Sequence, residues 1–157
     1  MIEVTAAALA THPFLYGVAP DQLARLAQAA SDVTVPAGHR FFDDGGHATR
    51  FWLVQSGHVT VDVHVPGQGR VPIDTIGMGD LIGWSWLFPP FTWAFGAAAA
   101  SRVEAFEFDA RMVRTWCGSD PALGYEITRR VAEVLTRRLK STRSRLITAS
   151  NQPAGAR

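Results

Sequence analysis

Seventeen residues, GDLIGWSWLFPPFTWAF from Gly79 to Phe95, hold three Trp, three Phe and two adjacent Pro. Indoles offer large rigid faces, so Trp84, Trp86 and Trp93 have the chemistry to line a pocket that stacks a flat ring. The same side chains can instead fill a cavity and pack the segment onto a core, or anchor a chain in a bilayer. The stretch also lacks something: no Arg or Lys lies between Arg70 and Arg102. Asp80, after Gly79, reads as a turn acid, with a polar pocket contact as the other reading. Pro89 and Pro90 read as a stiff loop turn, or as a polyproline edge that a partner could bind. They also break the apolar run from Leu81 to Ser101, where a helix would lose backbone hydrogen bonds that lipid cannot replace. No membrane span is expected.

Other chemistries find little support. The histidines His12, His39, His47, His58 and His64 form no HxH or HExxH pattern, so no metal or cofactor is expected. Ser56 and Ser85 lack a GxSxG setting. Cys117 stands alone, without a CxxC partner, and reads as a small packed hydrophobe in a reducing, cytoplasmic setting. The N-terminus MIEVTAAALATHPF has an early acid and no basic region before its short apolar run, a poor signal peptide. These features argue against an enzyme.

The elements around the stretch follow from periodicity. The 157 residues, 47% hydrophobic and 18% charged with a net charge of +1, suit one domain with an appended helix. PDQLARLAQAAS, residues 20–31, predicts a helix: Pro20 opens it, Asp21 lies in the first turn, and Leu23, Leu26, Ala27 and Ala30 share a face. From Asp32 to Asp109 short β-type runs alternate with Gly-rich turns: VTVP, HRFF, RFWLVQ, HVTVDVHV, RVPIDTI, AFGAAAA and RVEAFEF. In HVTVDVHV, Val59, Val61, Val63 and Val65 fall on one face. About eight short strands so punctuated predict an antiparallel sandwich or barrel. ARMVRTWCGS then predicts a short helix, and Ser119 or Asp120 caps a long one over 121–147 with Pro121 at its first position.

That last helix carries Arg129, Arg130, Arg137, Arg138, Lys140, Arg143 and Arg145 against two acids. They could follow a nucleic acid backbone, but no readout residues interleave, and a solvated face beside a dimer seam fits better. Ile127, Val131, Val134, Leu135 and Leu139 recur at helical spacing and form a stripe that predicts a homodimer interface. The expected organisation is therefore a roll and its helices over 1–118, a dimerisation helix over 119–150 and a disordered tail over 151–157.

Residues 12–147 resemble the cyclic-nucleotide-binding domains. VPAGHRFFDDGGHATRFWLVQSGHVTV is similar to the family's entrance strands, and Gly38, Gly45, Gly57 and Gly79 fall at its turns. The resemblance implies an antiparallel jelly-roll (a double-stranded β-helix) with flanking helices. It also implies a phosphate-binding cassette at GDLIGWSWLFPPFTWAFGAAAA, with Gly83, Trp84, Ser85, Thr92, Trp93 and Ala94 lining the ligand site. In that cassette a Glu accepts from the ribose hydroxyl and an Arg pairs with the cyclic phosphate. Here Trp84 stands at the Glu position, and Thr92 or Trp93 at the Arg position. Losing the charge-assisted pair costs on the order of a hundredfold in affinity.

Two functions are therefore expected from these residues. One is a non-catalytic sensor with weak or no binding of cAMP or cGMP, taking a cyclic nucleotide or another small ring compound. The other is a ligand-free protein-interaction module whose pocket is filled by its own aromatics. The chain ends eleven residues after Leu146, too few for a winged helix-turn-helix, so no direct reading of DNA is expected.

Overall fold

The computed structural model describes residues 2–151. Helix α1 (Ala6–Ala10) and a 3-10 turn (Pro13–Leu15) precede α2 (Pro20–Ala27). Thr5 caps α1 by accepting from the Ala8 N–H, and His12 caps the 3-10 turn. The sequence reading places no element before Pro20. These turns are too short for periodicity to reveal, and their caps and packing hold them. Leu9, Phe14 and Leu15 are all buried.

Strands β1 (Ile2–Glu3), β2 (Ala30–Val35), β9 (Val103–Asp109), β4 (Arg50–Ser56) and β7 (Leu81–Ile82) form one sheet in that order. Strands β3 (Arg40–Phe42), β8 (Gly96–Ala99), β5 (Val59–Val65) and β6 (Gly69–Ile76) form the other. Every pairing is antiparallel, so the chain is the jelly-roll that the strand spacing and the resemblance implied. Gly38, Gly45, Gly57 and Gly79 all hold positive φ at its turns.

Three local readings change. Helix α2 ends at Ala27 rather than Ser31, and Ala30 opens β2 because its backbone pairs with Phe108 across the sheet. A partner strand satisfies those amides better than another helical turn would. In β4 the run Phe51, Trp52, Leu53 and Val54 is buried without alternation, the mark of a strand covered on both faces. In β5 the expected valine face is interrupted. The register shifts between Val61 and Asp62, opposite Pro72, which has no N–H to give the ladder. The shift leaves Asp62 buried.

Helix α3 (Ala110–Ser119) and helix α4 (Pro121–Ser150) close the chain. Of the two possible caps it is Asp120 that accepts from the Leu123 N–H. At about 1.5 Å per residue, the 30 residues of α4 reach about 45 Å. Leu123, Ile127, Val131 and Val134 are buried in the core, each contributing about 1.5–3 kcal/mol. From Leu139 onward every residue of α4 is exposed. Apart from Asn151, at the C-cap of α4, the tail expected over 151–157 lies outside the described residues. No helix among the described residues is long and apolar enough to cross a membrane.

His12 ties the N-terminal turns to the sheet. Its Nδ1 accepts from the Phe14 N–H (3.1 Å), so Nε2 carries the proton that it donates to the Val54 carbonyl (2.7 Å). Burial holds the imidazole below its ordinary value of 6.5, against weaker upward pulls from the Val54 carbonyl and Asp80. The unfolded chain then binds the proton more readily than the folded one, so stability rises with pH across this interval. We expect the urea midpoint to hold above about pH 6.5 and to fall as the pH drops below it. In His12→Asn the fall over the same interval should be smaller. An equal fall in both proteins would show that His12 is not the group responsible.

Candidate functional site

The aromatic stretch enters the fold as β7, whose Leu81 and Ile82 pair with Leu53 and Trp52 of β4. The Gly79 N–H donates to the Val54 carbonyl (3.0 Å), and the Asp80 carboxylate accepts from the Gly77 N–H (3.1 Å). Asp80 therefore serves the turn. A single 3-10 turn, Ser85–Leu87, follows. Trp86 belongs to the core: fully buried, its indole stacks on Phe51 at 4.3 Å and donates to the Gly83 carbonyl at 3.1 Å. Pro89 and Pro90 lie exposed on the loop. Phe91 beyond them holds φ +58°, a costly conformation for a bulky residue. The Arg114 guanidinium, 4.0 Å over the Phe91 ring, and the Ala48 N–H, which donates to the Phe91 carbonyl (2.8 Å), hold it there.

The returning limb is stitched to the Asp43–His47 turn. Trp93 donates to Gly46 and accepts from Gly45, each at 2.8 Å, and Thr92 bridges His47. This pins the Trp93 indole inward. It stacks on Phe42 with ring centres 3.7 Å apart and planes within 9°, and Phe42 in turn stacks on Trp52 at 5.9 Å. The rim of the indole, at Cζ3 and Cη2, lies against the backbone of Gly83, at φ +89°, where a Cβ would meet the ring at 2.6 Å and Phe42 at 3.6 Å. Only glycine allows both that φ and that approach. The cavity left beside it, among Gly83, Trp84, Ser85, Trp93, Phe95 and Arg138, measures about 20 Å³.

Two guanidiniums lie nearby. Arg40 makes a two-pronged pair with the buried Asp62 (2.6 and 2.7 Å) and a third bond to Asp43 (2.6 Å). These carboxylates raise the affinity of the guanidinium for its proton. The pair passes over Gly96 so closely that a Cβ there would lie 2.0 Å from the Arg40 guanidinium. Arg138 of α4 reaches back to donate to the Leu81 carbonyl, at the edge of the same cavity. Burial is the main influence on its guanidinium and lowers its proton affinity, with Asp80 and Asp74 pulling the other way.

Of the six expected ligand-site residues, the structure brings Gly83, Trp84, Ser85 and Trp93 to one cavity. Thr92 faces the His47 turn and Ala94 is exposed. Ser85 is buried, its hydroxyl accepting from the Ala94 N–H (3.4 Å). The sequence reading missed Phe42 and Arg138, which lie about 40 and 55 residues away in the chain. Only β3 folding over the cassette and α4 running back along it bring them in. The expected dimer stripe divides as well. Ile127, Val131 and Val134 are covered by their own chain, Leu135 is half-covered, and Leu139 is 70% exposed. A stripe this wide meets the roll with one edge, so only its other edge is left for a second copy.

Jelly-roll, flanking helices and a Gly-led cassette at residues 79–99 define the class of protein. The family model described as cyclic nucleotide-binding domain matches residues 32–120, and the chain belongs to that family. A CRP-like cAMP-activated global transcriptional regulator of Mycobacterium tuberculosis strain H37Rv is 31% identical over 139 residues. The match covers 88% of this chain and 60% of the regulator, so the chain spans well under two thirds of that curated relative. Among solved structures, a chain of Geobacter metallireducens GS-15 assigned to the cyclic nucleotide-binding proteins superposes with a TM-score of 0.78. It is 20% identical, and the match covers 87% of this chain and 98% of that one. The regulatory domain of Toxoplasma gondii PKA, solved with cAMP, has a TM-score of 0.67 at 17% identity, covering 82% and 48% of the two chains. Identities this low establish the fold alone.

If Trp93 fills the cavity, its removal has a predictable cost. Trp93→Ala should lose about 3–5 kcal/mol of stability and open an apolar space that added indole re-occupies. The expected result is a Tm that rises with indole in the variant and not in the wild type. Equal response in the two proteins would show that Trp93 does not occupy an indole-sized space.

Proposed function

We propose that this chain is a non-catalytic regulatory module whose nucleotide cavity is closed by its own aromatics, so that cAMP and cGMP bind weakly or not at all. The observation that carries this reading is the Trp93 indole stacked on Phe42 with its rim against Gly83, and about 20 Å³ of space beside it. Sites for small ligands run to about 300–1,000 Å³. A cyclic phosphate placed there would find no cation on the cassette itself and Arg40 already committed to Asp62 and Asp43, which leaves Arg138 of α4, at the cavity edge, to meet it. Neutral hydrogen bonds contribute about 0.5–1.5 kcal/mol each, too little to offset stripping a phosphate of water. Trp84, at the position of the family's sugar-binding acid, meets Phe88 and Phe95 edge to face.

A non-catalytic role is supported by the nucleophile candidates. The Cys117 thiol is pushed up to about 11 by burial, with Asp120 adding to the shift, which keeps it protonated and unreactive. Both nitrogens of the buried His12 are engaged by the backbone. The basic residues of α4 are largely spent within the chain. Arg130 bonds the Tyr16 carbonyl and Glu126, Arg129 pairs with Glu133, and Arg145 reaches Ile73 and Asp74. That use leaves little for a nucleic acid backbone and favours action through a protein partner. The single cysteine fits a cytoplasmic setting.

Isothermal titration with cAMP and cGMP, followed also by Trp fluorescence, tests the closed cavity. No binding tighter than about 10 µM is expected, and a tighter constant for either nucleotide overturns the reading. Trp93→Arg combined with Trp84→Glu should restore measurable affinity by supplying the cation and the carboxylate.

The same proposal includes a homodimer along α4, on the edge of the stripe that carries Leu135 and Leu139. Leu146, 67% exposed, and Ile147 continue an apolar surface past the roll, where an isolated helix is marginal without a packing partner. Light scattering should give a dimer for the wild type and a monomer for Leu135→Lys with Leu139→Lys. A wild-type monomer at about 100 µM would end the dimer proposal.

A further inference from the structure

The second half of α4 carries charge of one sign. Residues 134–150 hold Arg137, Arg138, Lys140, Arg143 and Arg145 and no acid. From Leu139 onward every residue is exposed, so burial does not fix this length of helix. Its guanidiniums do. Arg138 donates to the Leu81 carbonyl, and Arg145 donates to the Ile73 carbonyl and lies 3.7 Å from Asp74. Arg137 lies 3.9 Å from Asp80, at the limit of an ion pair.

One exposed hydroxyl stands between the two grips. Ser141 comes three residues after Arg138 and four before Arg145, and residues so spaced on a helix have Cβ atoms about 5–6 Å apart. Arg137 stands four residues before it on the other side. The neighbouring hydroxyls are placed differently. Thr136 and Thr148 donate to carbonyls of their own helix, and Thr142 accepts from Arg145 at 3.4 Å. Ser144 has Ser141, not a cation, three residues before it. A phosphate on Ser141 brings a charge of about −1.5 to −2 and three acceptor oxygens within reach of these arginines. Its charge-assisted bonds are about twice as strong as those to a neutral carbonyl, so the guanidiniums would exchange Leu81 and Ile73 for it. Asp74 and Asp80, which face the same arginines, would be repelled. We propose that Ser141 is a phosphorylation site whose phosphate draws Arg138 and Arg145 off the roll and frees the end of α4.

The partner this requires is an ATP-dependent protein kinase with carboxylates in its cleft for Arg137, Arg138 and Lys140. The Ser141 oxygen attacks the γ-phosphorus of ATP, the bond to the bridging oxygen of ADP breaks, and the hydroxyl proton passes to the base of the kinase. The segment must unwind to enter such a cleft, and an exposed helix end opens at low cost. The proposal goes beyond the closed-cavity reading and stands or falls without it.

The site is tested with wild-type protein, ATP and a kinase that selects Arg three residues before its target. Mass spectrometry should place phosphate on Ser141, and Ser141→Ala should take up none there. Release is read separately, with phosphoserine encoded at position 141, so that variants need not be kinase substrates. A bimane label on Leu146→Cys shares the space beside α4 with Trp84, whose indole quenches it on contact. The Cys117 thiol, pushed up to about 11 by burial, reacts far more slowly with the label. Phosphoserine should abolish the quenching, and Ser141→Ala should keep it. Arg138→Gln with Arg145→Gln should lose the quenching without phosphate and lose no more with it. Light scattering follows the oligomeric state, because Leu139 also belongs to the proposed dimer edge. The proposal is overturned if phosphate is absent or lands only on Thr142 or Ser144. Quenching that persists with phosphoserine, or that phosphoserine reduces further in the double arginine variant, would overturn it as well.

Discussion

The Trp93 indole can lie where it does because residue 83 has no side chain. Gly83 at positive φ turns the chain after β7 and at the same time leaves the backbone bare for the ring. Phe42 covers a face of the ring at 3.7 Å, and the bonds from Trp93 to Gly45 and Gly46 hold the limb in place. Each partner restricts the others, which fixes the Trp93 limb against β3 and the turn after β7. Dispersion and burial, rather than charge, hold the segment together.

A phosphate cradle needs a cation on or beside the cassette with donors to spare. Here Arg40 is consumed by Asp62 and Asp43 across the bare backbone of Gly96. The bulge opposite Pro72 is what leaves Asp62 buried enough to need it. The guanidinium with spare donors is Arg138, which comes from α4 and lines the edge of the cassette cavity.

Helix α4 therefore does three things with one sequence. One edge, through Leu123, Ile127, Val131 and Val134, completes the core. A second, through Arg138 and Arg145, grips carbonyls of β7 and β6. The third, with Leu139 and Leu146, is left in solvent. A helix committed on two edges is a stiff lever, so a partner on the free edge would act on a rigid element. Regulation through this helix needs no motion inside the filled cavity.

Much of this was open to reading from the residues in order. Alternation and Gly-rich turns placed part of β2, then β3 to β6, β8 and β9, but not the two-residue β7, and the caps at Pro20 and Pro121 placed two helix starts, because these signals are local and each depends on a few neighbouring residues. The missing Arg and Glu of the cassette were equally plain, since they are a matter of identity at a position. Other features depended on partners distant in the chain. Ala30 became strand because Phe108 offered its backbone, Asp62 was buried because Pro72 broke the ladder, and Trp93 found Phe42 and Gly83 only once β3 and β7 had closed on the cassette. The apolar stripe of α4 could be seen in the sequence, but which residues the roll would cover could not. Helical spacing defines a face, and only the packed neighbour decides how much of that face is spent.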